Sequence, residues 1–154
     1  MLSARFSMGP GLIVHLVTPE SEAHLVATNL AVQRPDPLTN LVRALVEFST
    51  GTSDISCRWP SEPGGHFIDI SSINEEKCGI VVHSFADRDW LADSDWLPRR
   101  GEFIFGAHPT LQEAITAFTA ALQDLDTGYR DEFGRRWPWP FPRAELSRLV
   151  AATA

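Results

Sequence analysis

Residues 54–85 read DISCRWPSEPGGHFIDISSINEEKCGIVVHSF. In the first part, Ile55, Cys57 and Trp59 alternate with Ser56 and Arg58. A period of two is the mark of a strand with one buried face. Pro60-Ser61-Glu62-Pro63-Gly64-Gly65 is a turn by composition, because proline and glycine interrupt a ladder and supply the backbone angles a reversal needs. HFIDISSI (66–73) continues as a strand, Asn74-Glu75-Glu76-Lys77 turns the chain again, and CGIVVHSF (78–85) is the next strand. Turns this short join antiparallel neighbours, since a parallel pair needs a long crossover. The stretch therefore predicts an antiparallel meander.

Upstream, Asp36 can cap a helix whose first residue is Pro37, and Leu38, Leu41, Val42, Leu45 and Phe48 form one apolar stripe before Gly51 stops it. Before that helix, LIVHLVT (12–18) and AHLVATNLAVQ (23–33) read as two strands around Pro19-Glu20-Ser21-Glu22. Thr18-Pro19-Glu20 also resembles a helix start, but the short β-rich runs Leu12-Ile13-Val14 and Leu30-Ala31-Val32 favour strands. Downstream, EFIFGAH (102–108) is a last strand leading into a helix over Thr110–Asp126. Thr110 and Glu113 make a capping box there, and Leu111, Ile115, Phe118, Leu122 and Leu125 share one face. Trp137-Pro138-Trp139-Pro140-Phe141-Pro142 is forced into an extended run. Such a run straps onto a core or presents its rings to a partner. A short helix with Leu146, Leu149 and Val150 follows. The expected fold is a single α+β domain over 1–154, an antiparallel sheet of about six strands with two main helices packed on one face and a short C-terminal helix.

Composition narrows the function classes. The 154 residues are 44% hydrophobic and 21% charged, ordinary for a globular chain. A formal net charge of -7 opposes nonspecific attachment to nucleic acid or an anionic membrane and suits a basic protein partner. Lys77 is the only lysine, a bias expected from a GC-rich genome. Two cysteines, Cys57 and Cys78, are too few for a disulfide framework. The first residues, MLSARFSMGPGLIVHLVTPESE, make a poor signal peptide. No apolar run approaches the roughly 20 residues of a membrane span. A cytoplasmic protein with free thiols is expected.

Residues able to do chemistry are scattered. Cys57, His66, Cys78 and His83 are zinc-type donors on three consecutive strands, but no paired spacing fixes a site, and buried thiols are the expectation. His15, His24, His66, His83 and His108 have no nucleophile-elbow serine to serve. Gly9-Pro10-Gly11 and Gly64-Gly65 do not join a strand to a helix, so they read as turns and not as phosphate loops. No cofactor is expected. One segment combines opposite chemistries: Asp87, Asp89, Asp93 and Asp95 surround Trp90 and Trp96. No glycine or closing glutamate makes it a calcium loop. It reads as a solvated loop held by its indoles, or as a docking surface with aromatic anchors and steering carboxylates.

The order strand, Glu62-Pro63-Gly64 turn, strand, then further strands, the Leu111–Leu125 helix, Trp139-Pro140-Phe141-Pro142 and a leucine-bearing helix carries a resemblance. Over about residues 38–150 the chain resembles small uncharacterised actinobacterial proteins, and it is similar in size and acidity to immunity proteins of bacterial toxin systems. The resemblance implies a non-enzymatic binding protein that blocks a partner by occlusion, and it carries over no functional residue. Asp87, Asp89, Trp90, Asp93, Asp95 and Trp96 are then the expected contacts. A small hydrolase without a known motif and a homo-oligomeric assembly protein, joined through a sheet edge or the Trp-Pro run, are the alternatives.

Overall fold

The computed structural model describes residues 1–28, 36–61, 64–85, 100–128, 133 and 135–153. Its class is α+β with antiparallel strands throughout. Among the described residues the strands number seven and divide into two sheets, instead of running as one sheet of about six. Strands β1 (Ser3–Met8), β2 (Gly11–Val17) and β3 (Glu22–Thr28) form the first, in that order. Strands β4 (Asp54–Pro60), β5 (Gly65–Ser72), β6 (Cys78–Phe85) and β7 (Phe103–Ala107) form the second, also in chain order. The meander expected over 54–85 is present, with Ile55 opposite Ile70 and Ile70 opposite Ile80.

Glu22–Thr28 is a strand, so the helix reading of the Thr18-Pro19-Glu20 start gives way to a hairpin. Thr18 N–H donates to the Ser21 carbonyl at 2.8 Å and closes its turn. Residues 29–33 of the expected strand lie outside the described residues. The first strand, β1, went unread in the sequence. Leu2 just before it and Phe6 within it are buried while Ser3 and Arg5 are exposed, an alternation too short and too polar to stand out.

Helix α1 (Pro37–Ser49) starts as its residues dictate. Asp36 is extended, and its carboxylate accepts from Thr39 N–H at 3.4 Å and from Thr39 Oγ1 at 2.6 Å. Gly51, at φ 119°, takes the left-handed turn that follows the helix, where a side chain is disfavoured. Helix α2 (Leu111–Gly128) has Thr110 Oγ1 accepting from Glu113 N–H at 3.0 Å. Helix α3 (Arg143–Thr153) buries Leu146 and Leu149. Among the described residues, no helix is long and apolar enough to cross a membrane.

One buried cluster takes side chains from both sheets and from all of these helices. Leu12, Val14, Leu16 and Leu25 enter it from the first sheet, and Trp59, Ile68, Ile80, Val82 and Phe105 from the second. Helix α1 lies against β4 and α3, and α2 against β1 and α3. The Trp-Pro run straps onto this core: Trp137 is 2% exposed, and its indole donates to Asp36 at 3.2 Å. Phe141 is buried edge-on to Phe133.

Asp36 thus serves a helix end and a buried indole with one carboxylate. Asp36→Ala should cost about 2–3 kcal/mol, because the cap is lost and a buried N–H is orphaned. Asp36→Asn, which keeps an acceptor, should cost less. Urea melts of both variants check this, and a loss below about 1 kcal/mol for the alanine would contradict the assigned role.

Candidate functional site

Asp87, Asp89, Trp90, Asp93, Asp95 and Trp96 lie outside the described residues. The frame that carries their segment is described on both sides. Strand β6 delivers the chain at Phe85, and β7 takes it back at Phe103. Ser84 pinches the base shut. Its N–H donates to the Glu102 carbonyl at 2.9 Å, its carbonyl accepts from Gly101 N–H at 2.7 Å, and its hydroxyl accepts from Glu102 N–H at 3.0 Å.

Arg100, just past the segment, reaches across the outer face of the four-stranded sheet. Its Nε and Nη2 donate to the two oxygens of Asp69 at 2.7 and 2.9 Å, and Nη2 also reaches Ser56 Oγ at 2.9 Å. Ser56 and Asp69 are cross-strand partners on β4 and β5, so one guanidinium fastens two strands. It also lies over the Phe67 ring, 4.3 Å from the centroid, an attraction of cation to aromatic face. Partial burial works to raise the Asp69 pKa. Hydrogen bonds from Arg100 and Ser56 and the Arg100 charge outweigh it, and the carboxyl ends below its usual value. Phe67 and Phe85 form a small second cluster at 5.2 Å with Trp139 packed on it. Phe103 stands 60% exposed, edge-on to His83.

The zinc-type donors do not converge. Residue parity in β6 puts Cys78 on the face of Ile80 and Val82, and His83 on the other. Among the described residues, no three His, Cys, Asp or Glu side chains gather closely enough to hold an ion. Cys57 and Cys78 are free and buried. Burial pushes the Cys57 thiol up to about 12 and the Cys78 thiol up to about 11, which keeps both protonated and unreactive. His108 lines a polar hollow of about 360 Å³ with Glu20, Lys77, Thr110 and Glu113. A second hollow of about 400 Å³, between Phe48, Leu111 and Ile115, has no ionisable group in its lining. Among the described residues, no histidine is hydrogen-bonded to a carboxylate, the pairing a hydrolytic base would call for.

Sequence reading passed over one cluster on the open face of the three-stranded sheet. Arg5, His15 and His24 stand in one cross-strand row. The Nδ1 atoms of His15 and His24 are in contact, and Ser7 Oγ is 2.7 Å from His15 Nε2. A hairpin turning on Pro19-Glu20 places His15 opposite His24, so the turn already read in the sequence held the signal. No motif flags it, because the two residues meet only through strand register.

Burial, then the charges of Arg5 and His24, lower the His15 pKa below its usual 6.5. Burial also lowers that of His66, whose Nδ1 has no partner. Both shifts have the same sign. The unfolded chain binds protons first, so the penalty is absent above about pH 6.5 and grows as pH falls toward the folded values. The thermal midpoint should therefore fall between pH 7 and pH 5, and His66→Gln should flatten that slope. Calorimetry at several pH values checks it, and a midpoint rising over that interval would refute it.

No family model matches the sequence, and no curated protein matches it. Among solved structures, the fold is similar to a chain of the CdiA-CT/CdiI toxin and immunity complex from Enterobacter cloacae. The likeness has a TM-score of 0.52 at 12% sequence identity and covers 80% of this chain and 99% of that one, which makes it a likeness of fold.

Proposed function

We propose that this chain is an immunity-like binding protein of the cytoplasm, a single domain that neutralises a partner protein by covering its functional surface. The observation that carries the reading is the likeness to a chain from a toxin and immunity complex, which extends over nearly all of that chain. The net charge of -7 supports a basic partner. Asp87, Asp89, Asp93 and Asp95 steer that partner, and Trp90 and Trp96 anchor it. The exposed ring of Phe103, beside the base of their segment, extends the contact.

Two measurements test the proposal. The chain expressed alone should leave cells growing and should protect them when the co-purified partner from the native host is induced. Growth arrest by the chain alone would place it on the toxin side of such a pair. Changing the four aspartates to asparagine should mainly slow association, with the effect fading as salt rises, since exposed charges are screened over about 8 Å at physiological ionic strength. Trp90→Ala or Trp96→Ala should speed dissociation, by about 2 kcal/mol or more for an anchor at an interface centre. If the tryptophan changes lower the melting temperature while binding stays intact, the indoles serve the chain's own fold and the docking role fails.

A further inference from the structure

The row on the three-stranded sheet is organised beyond what a solvated face requires. His15 sits on the central strand, with a ladder on either side, and His24 lies directly opposite on the edge strand β3, so strand register holds the two backbones in line. The two Nδ1 atoms point at each other. A hydrogen bond between them needs a proton on one of them only, so at least one lone pair faces the shared space. On the far side of the His15 ring, Ser7 Oγ meets Nε2 at 2.7 Å. An oxygen that accepts from the distal ring N–H is the usual outer partner of a metal-bound imidazole, because it fixes the tautomer and the ring plane.

From this geometry we infer that His15 and His24 form a two-imidazole site for a divalent transition ion of the zinc class, with Ser7 orienting His15. Imidazole nitrogens select zinc, copper and nickel over calcium and magnesium, which take oxygen donors. A tetrahedral zinc with bonds of about 2.0–2.1 Å places two nitrogens roughly 3.3 Å apart, so the rings must part slightly. His24 is exposed and can rotate to allow it. No third His, Cys, Asp or Glu joins the pair among the described residues, which leaves the remaining positions to water or to a donor from another molecule. Arg5, opposite His15 on β1, opposes the cation, while Glu22, two residues before His24 on the same face, favours it.

The test is a zinc titration of the untagged full chain at pH 7.5, by calorimetry and by thermal shift. Saturable binding of one ion per chain is expected, with no response to calcium or magnesium. His24→Asn should weaken it at least as much as the roughly 10–100-fold that loss of an outer partner costs. His15→Asn should do the same, and it guards against misfolding of either variant, with far-UV circular dichroism as the check. Arg5→Gln should tighten binding severalfold by removing the opposing charge. If wild type shows no saturable heat up to millimolar zinc, the site does not exist. If either histidine variant binds as wild type does, zinc goes elsewhere and the proposal is overturned.

Discussion

Trp59→Ala should lower stability by about 5 kcal/mol, the largest loss expected from a single change in this chain. Trp59 is 0% exposed on β4, and its indole N–H donates to the Leu25 carbonyl on β3 at 2.9 Å. Its ring also meets Phe6 of β1, with centroids 6.3 Å apart. One side chain therefore joins the two sheets by packing and by a buried hydrogen bond. Alanine leaves a large cavity and strips the carbonyl of its partner. A loss of that size rivals the whole stability of an ordinary domain, so the alanine variant should be mostly unfolded at room temperature. Trp59→Phe keeps much of the volume and loses the donor, and should cost about 2–3 kcal/mol, within reach of a urea melt. A phenylalanine variant as stable as wild type would show that the inter-sheet bond contributes nothing.

Phe118→Ala should cost about 3–5 kcal/mol. Phe118 is 0% exposed at the middle of the α2 stripe, between Ile115 at 7% and Leu122 at 0%. Helix α2 lies against β1 and α3, so the cavity would open where three elements meet. Its chain neighbour supplies a contrast. Thr119 is buried, and its hydroxyl has no hydrogen-bond partner. Thr119→Val removes that orphan at nearly constant volume and should be neutral or stabilising. Chemical denaturation of the two variants would separate lost packing from relieved desolvation, and a Phe118→Ala loss under about 1 kcal/mol would contradict the packing described.

The elements best foretold are those whose signals are local. Asp36-Pro37, the Thr110–Glu113 pair and the Cys57/Trp59 alternation each involve residues a few positions apart, and each element formed where expected. The division into two sheets was not legible. Whether β3 pairs with β4 across α1 depends on how the helix packs, and no short-range pattern encodes that. Strand β1 hid because Arg5 and Ser7, on its solvent face, dilute a run of only six residues. The His15–His24 contact depended on register, and the identity of the residues gave no hint of it. The acidic segment was conspicuous by composition, and its role rests on binding experiments.

The bond between Trp137 and Asp36 has a consequence for the order of assembly. Each sheet pairs only chain neighbours, so its ladders close between strands near one another in sequence. The cap from Asp36 to Thr39 spans three residues, whereas the indole bond spans 101. Closing so long a loop is entropically dear until the intervening chain has condensed. In Asp36→Ala, the capping share of the loss should then slow refolding, and the share owed to the indole should appear as faster unfolding. During synthesis the same carboxylate should then wait, hydrated, until Trp137 has emerged and the strap settles over a core already formed.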